Sequence, residues 1–322
     1  MSSSLLNVLP RASSSHVPVL AEEVRQLLGV GPGQTVIDAT FGAGGHASLL
    51  ADDLDGDGEL IAIDRDPEAW GHYERFARAA AVETRFFHGA FDTVLEDLES
   101  DGVGADAILL DLGISSMQID TPERGFSYST DAPLDMRMDP GEPESAQHLV
   151  NHASERELAD IFRRYGEERY ARQIARRIVQ RREQAPYART QDLVETVRSA
   201  VPAPRRFGDG HPAKRTFQAL RIAVNDELGS LERALPAAVQ LLRPGGRIAV
   251  LSFHSLEDRI VKHFLRAEAK GCVCPPDFPT CVCGRQPSVR LLTKKAKRPG
   301  AGETGENPRA ASARLRAAQK QD

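Results

Sequence analysis

Thr35-Val36-Ile37-Asp38-Ala39-Thr40-Phe41-Gly42-Ala43-Gly44-Gly45-His46-Ala47 carries the densest structural information in this chain of 322 residues. Its first four residues form a short apolar run that closes on an acid, the pattern of a buried parallel strand. Three glycines follow within four positions, and residues 47–53 then read as a helix. A strand, a glycine loop and a helix in that order set backbone N–H groups and a helix amino end beside a ligand. The loop also fits the dinucleotide form, because Gly42 and Gly44 are followed by Ala47 at the third position and Asp64 lies 20 residues after Gly44.

Further along, Leu60-Ile61-Ala62-Ile63-Asp64, Ala107-Ile108-Leu109-Leu110-Asp111 and Gly246-Arg247-Ile248-Ala249-Val250-Leu251-Ser252 repeat the strand pattern, with helical stretches such as 67–80 between. This alternation predicts an α/β fold with a doubly wound, Rossmann-like sheet. Open sheets of this kind bind ligands at the carboxyl ends of their strands, where the sequence places Asp38, Asp64 and Asp111. A carboxylate at Asp38 repels a pyrophosphate but attracts ammonium and sulfonium groups. S-adenosyl-L-methionine is therefore favoured over a nicotinamide dinucleotide, with Asp64 placed to accept bonds from ribose hydroxyls.

The alternation stops after Asp111 and resumes near Leu241. Between them, residues 154–183 carry apolar side chains at helical period (Leu158, Ile161, Phe162, Tyr165, Ile174, Ile178), and Thr190 opens another helix as an N-cap. The expected organisation is a disordered leader at 1–15, a catalytic domain in two pieces at 16–122 and 213–298, an all-helical insert at 123–212, and a basic C-terminal tail at 299–322.

The formal net charge of −5 conceals a strong asymmetry. Residues 38–111 hold 18 Asp/Glu against 4 Arg, residues 163–189 hold 9 Arg against 3 Glu, and residues 285–322 hold 10 Lys/Arg against 3 Asp/Glu. An acidic catalytic half with two basic segments suits an enzyme that takes a cationic small molecule and grips a polyanion. No run of about 18 apolar residues occurs, so no membrane partner is expected and the cytoplasm is the expected location.

Asp111-Leu112-Gly113-Ile114-Ser115-Ser116 faces the same crevice. An exocyclic amine such as cytosine N4 has its lone pair delocalised into the ring, so an acceptor at this place can draw on its N–H groups and align it for in-line attack. Here the chain resembles a known family, the bacterial 16S rRNA (cytosine-N4) methyltransferases called RsmH or MraW. The likeness runs through His16-Val17-Pro18-Val19-Leu20, the glycine loop, Ala62-Ile63-Asp64-Arg65-Asp66-Pro67, His88-Gly89-Ala90-Phe91 and the Asp111 stretch. It continues in Arg124-Gly125-Phe126-Ser127-Tyr128, Leu134-Asp135-Met136-Arg137-Met138-Asp139, Phe217-Gln218-Ala219-Leu220-Arg221-Ile222, Ser252-Phe253-His254-Ser255-Leu256-Glu257-Asp258-Arg259 and Asn307-Pro308-Arg309-Ala310.

The resemblance implies a class I methyltransferase domain with an inserted helical domain. It implies cofactor contacts at Gly44, Gly45, His46, Asp64, Phe91, Asp111 and Gln118. It also implies a cytosine in the decoding region of 16S rRNA as substrate, within the small ribosomal subunit.

After the last strand, His254 is a candidate proton acceptor beside Asp111 as the catalytic pair, because histidine titrates near neutral pH; a hydrogen-bonded structural role stays open. The target base must leave its stack, and Phe126, Tyr128 and Phe253 are the candidate platforms. Methyl transfer needs no metal. Cys272, Cys274, Cys281 and Cys283 could hold zinc, but the usual two-residue spacer is missing from each pair. A homodimer is left open, and a nicotinamide oxidoreductase and a non-catalytic RNA-binding assembly protein stand as the alternatives.

Overall fold

The computed structural model describes residues 18–203, 210–270, 272–275, 278–280 and 282–322. The expected leader, His16-Val17 and Cys281 lie outside the described residues.

Seven strands form one sheet: β1 (Gln34–Asp38), β2 (Gly58–Asp64), β3 (Glu83–His88), β4 (Ala105–Asp111), β5 (Leu242–Ser252), β6 (Val289–Leu291) and β7 (Arg314–Lys320), in the order β3-β2-β1-β4-β5-β7-β6. The first five are parallel, and β7 runs antiparallel to both β5 and β6. Side chains alternate between the two faces. Ile37, Ile61, Ile63, Ile108 and Leu110 enter one apolar core while Val36, Leu60, Ala62, Ala107 and Leu109 enter the other. Burial on both faces is why these strands read as unbroken apolar runs.

Helices α1 (Ala21–Leu28), α2 (Gly45–Asp53), α3 (Ala69–Ala79) and α4 (Phe91–Ser100) lie in the first part of the chain. Strand order reverses between β1 and β4, which opens a crevice at their carboxyl ends. The Rossmann-like α/β class expected from the sequence is the class observed.

After a short helix α5 (Ser116–Asp120) come α6 (Ala146–His152), α7 (Glu155–Gly166), α8 (Ala171–Arg182), α9 (Thr190–Ala200) and α10 (Lys214–Asn225). They share a third core around Leu158, Phe162, Ile174, Ile178, Tyr187, Leu193 and Val197. Phe217 and Leu220 of α10 belong to it too, so helical packing extends past the expected boundary at residue 212. Thr190 is not the N-cap of α9, because its hydroxyl donates to the Thr130 carbonyl and accepts from the Ala132 N–H, while Arg189 takes the cap position.

Two helices return the chain to the sheet, α11 (Glu227–Leu241) and α12 (Ser255–Lys270), and a short α13 (Ala301–Glu306) precedes the last strand. The expected basic tail at 299–322 is corrected here: its end is β7, seated between β5 and β6. The two arginines of β7 are committed internally. Arg316 Nε donates to Asp258 Oδ1 at 2.7 Å and Arg314 Nη1 to Asp258 Oδ2 at 2.9 Å, so neither is free for a polyanion.

Candidate active site

A cavity of about 590 Å³ opens over the carboxyl ends of β1, β2, β4 and β5, within the size range of small-ligand sites. The glycine loop builds one wall. Gly42 and Gly44 have φ of 55° and 79°, the left-handed region that glycine enters without steric cost. A Cβ on Gly44 would stand 2.7 Å from the Phe41 ring, so Gly44 serves the turn. Gly42, Gly45 and His46 line the cavity and Gly44 does not.

Asp64 organises the loop from β2, its Oδ2 accepting the Gly42 N–H at 2.7 Å and its Oδ1 the Asp66 N–H at 2.8 Å. Opposite, the Asp111 N–H donates to Thr40 Oγ1 at 2.6 Å, which ties the end of β4 to the loop after β1. His46 Nε2 stands 3.6 Å from Asp111 Oδ2, beyond hydrogen-bond range. Among the described residues neither His46 Nε2 nor Asp111 Oδ1 has a partner, although both atoms are buried. Buried polar atoms without partners are costly, and here they border a cavity that a polar ligand can fill.

The carboxyls resist ionising. Burial pushes Asp111 up to about 8, with the charges of Asp38 and Glu257 adding to it. Burial and the charge of Asp64 take Asp38 up to about 7, against the bond from Thr40. Burial likewise raises Asp64 to about 6, the two backbone bonds holding it back. The Asp111 side chain is 28% exposed, but that surface faces the cavity rather than bulk water, so what fills the cavity decides its charge. Burial holds His46 down at about 4, so it is a neutral ring near pH 7.

This cluster has a consequence for stability. In the unfolded chain the carboxyls titrate near pH 4, whereas folded Asp38 and Asp111 keep their protons to about 7 and 8. Between about pH 7 and 8.5 the folded state therefore binds more protons than the unfolded state, and stability falls as pH rises. The ligand-free protein should melt at progressively lower temperature across that window, with S-adenosylmethionine offsetting the fall; a melting temperature that climbs contradicts the charge assignment.

Gln118 and Phe91 also line the cavity. The buried Gln118 amide donates to Asp66 Oδ2 at 2.8 Å and accepts from the Ser115 N–H at 3.1 Å, capping α5 and joining the Asp111 loop to the loop after β2. Phe91 enters from the first residue of α4. Neither position carried a periodicity or spacing signal; the family resemblance alone pointed to them.

His254 departs from expectation. It is not among the cavity-lining residues, and its Nε2 stands 3.1 Å from Glu257 Oε1. The buried carboxylate holds the ring, and Glu257 itself lines the cavity. Burial alone would raise Glu257, but His254, Arg221 and the Phe253 N–H outweigh it and hold the carboxyl below its usual range. Arg221 is in turn bound to Glu227 through two bonds of 2.7 Å. Asp111 and Glu257 thus face one cavity with proton affinities driven apart, the arrangement that divides acid and base roles. Glu257 was legible only as part of the stretch 252–259.

Phe126, Tyr128 and Phe253 all line the cavity. Tyr128 is stacked on His211, centroids 4.6 Å apart at 11°, which occupies one of its faces. Phe253 packs against Gly113, whose φ of 104° and missing side chain allow the approach. Lys214, Arg65 and Arg309 add positive charge to the lining. On α8, Arg172, Arg176 and Arg177 are exposed, whereas Arg181 pairs with Asp192 and Arg182 bonds to the Val150 and Ala153 carbonyls.

A doubly wound sheet with a glycine loop after β1, an acid ending β2 and a β4 carboxyl with one unpartnered oxygen makes the crevice of a nucleotide-type cofactor, and the family match makes this protein an S-adenosyl-L-methionine-dependent methyltransferase. More narrowly, the chain belongs to the MraW methylase family, whose model matches residues 13–321. It is 51% identical over 310 residues to ribosomal RNA small subunit methyltransferase H of Heliobacterium modesticaldum, covering 95% of this chain and 98% of that one. It is 52% identical over 309 residues to the protein of the same name from Geobacter sulfurreducens, covering 95% and 99%. Membership in a methylase family removes the nicotinamide alternative. Among the described residues no helix is long and apolar enough to cross a membrane.

Proposed function

We propose that this protein transfers the methyl group of S-adenosyl-L-methionine to N4 of one cytidine in the decoding region of 16S rRNA, acting on the small ribosomal subunit in the bacterial cytoplasm. The observation that carries the reading is a cavity flanked by Asp111, Glu257 and Phe253 in a chain about half identical, over 95% of its length, to proteins named for small-subunit rRNA methylation.

S-adenosylmethionine, when bound, supplies an electrophilic methyl group on a sulfonium. Gly45, His46, Asp64, Phe91 and Gln118 would hold it, with Gly44 shaping the loop and Gln118 also bracing Asp66. Beside the donor's positive charge Asp111 would ionise and offer its free oxygen to the donor and to the N–H groups of the target amine. Glu257, kept ionised by its neighbours, is the second acceptor, and His254 positions Glu257. Phe253 is the preferred stacking platform, because its ring borders the cavity beside the Asp111 loop. The helical body, with Arg172, Arg176 and Arg177 on its surface, grips rRNA through phosphates.

The test is incubation of the purified protein and labelled donor with small subunits from cells lacking the enzyme, followed by nucleoside mass spectrometry. N4-methylcytidine is the expected product. Donor binding with no label in RNA would reject the substrate.

A further inference from the structure

All four cysteines of the chain fall between positions 272 and 283, in the segment joining α12 to β6, and methyl transfer uses none of them. The Sγ atoms of Cys272, Cys274 and Cys283 lie within 4.8 Å of one another, and those of Cys272 and Cys283 are 3.8 Å apart. A disulfide requires sulfurs about 2.05 Å apart. Thiolates about 2.3 Å from a tetrahedral zinc stand about 3.8 Å from each other, so the observed spacing is that of two ligands on one ion. The Val282 N–H donates to Cys274 Sγ at 3.4 Å, which fixes Cys274 against the residue before Cys283.

Among its described residues the loop has no apolar interior to order it. Val273, Phe278 and Val282 are 65%, 51% and 73% exposed. Its base is tied down, since Arg285 and Ser288 both bond to the Glu268 side chain on α12. A short turn, with the Phe278 N–H donating to the Pro275 carbonyl at 3.1 Å, bends the segment between the cysteines. A chain segment that turns its large apolar side chains outward needs another source of order, and in small modules a bound metal supplies it.

We propose that Cys272, Cys274 and Cys283 bind one Zn²⁺ ion as thiolates, in a structural site that clamps this loop. Binding exchanges three thiol protons for three S–Zn bonds, involves no change of oxidation state, and leaves one tetrahedral position for a further donor. Sulfur donors in tetrahedral array select zinc over harder divalent ions.

The full-length protein, purified under reductant without chelator, is examined by native mass spectrometry and metal analysis. One zinc per chain is expected. Cobalt exchanged into the site should give the intense visible bands of a tetrahedral ion and sulfur-to-metal charge transfer. Cys272→Ser and Cys283→Ser should each lose the zinc while keeping the far-ultraviolet circular dichroism of the parent and its calorimetric binding of S-adenosylmethionine. Should either variant fail to fold, the cobalt spectrum of the parent chain decides. Protein that takes up neither Zn²⁺ nor Co²⁺ at equimolar metal overturns the proposal, as does zinc retained in both variants or a disulfide in freshly reduced protein.

Discussion

Asp111→Asn is expected to lower kcat/KM for methyl transfer by about 10²–10⁴-fold, the range for loss of a positioned acid–base group. The substitution keeps the shape of the side chain, removes its capacity for charge and turns one acceptor oxygen into an NH2 donor. Stability should move the other way. Asp111 keeps its proton to about 8 in the ligand-free fold, so its ionisation opposes folding above pH 7, and the ligand-free variant should melt no lower than the parent at about pH 8. Donor binding provides a second readout. A cationic ligand favours the carboxylate, so below about pH 8 its binding releases protons and the parent's affinity rises with pH. Calorimetry in buffers of different ionisation enthalpy should find that proton release reduced in Asp111→Asn. Unchanged kcat/KM with an unchanged pH profile would remove Asp111 from the mechanism.

Asp258→Ala is expected to cost about 3–5 kcal/mol of stability, the penalty for stripping one partner from a buried ion pair. Asp258 holds both arginines that β7 turns towards α12, and the Arg316 side chain is only 11% exposed. Without the carboxylate a guanidinium remains charged and unpaired inside the sheet. Arg314 is more open and contributes less. Denaturant unfolding measures the loss; Arg309→Ala, which breaks the exposed pair with Asp120, should cost under about 1 kcal/mol. Pairing Asp258→Leu with Arg316→Met should recover much of the loss, because no buried charge is then orphaned. A loss in Asp258→Ala no larger than that control would show that β7 is held by its ladder alone.

The four strands read from apolar runs are β1, β2, β4 and β5, and all are buried on both faces. β3 escaped because it is an edge strand whose first half, Glu83-Thr84-Arg85, is polar, which leaves only two apolar residues in a row. β7 escaped for the opposite reason. Its charges, Arg314 and Arg316, read as a solvated tail until the chain fold brings Asp258 across to neutralise them.

Much the same division runs through the site. Loop glycines and the acids that end strands are local features, so Asp38, Gly42, Gly45, Asp64 and Asp111 were legible from the residues themselves, and the family resemblance added His46, Phe91 and Gln118. The roles of His254 and Glu257 were not, since both belong to one short stretch and differ only in which way they face. That choice is made by α10, which brings Arg221 towards the Glu257 carboxylate.

Sequence by itself determined the parallel sheet, the ligand crevice and the family, because each rests on local pattern or on motifs in order. Tertiary structure alone decided the charge state of Asp111, the partner of His254, the burial of β7 and the gathering of three thiols. The first and third depend on groups far apart in the chain, and the second and fourth on how a short stretch is turned in space, so the spacings that set desolvation and Coulomb energy are not written in the order of the residues.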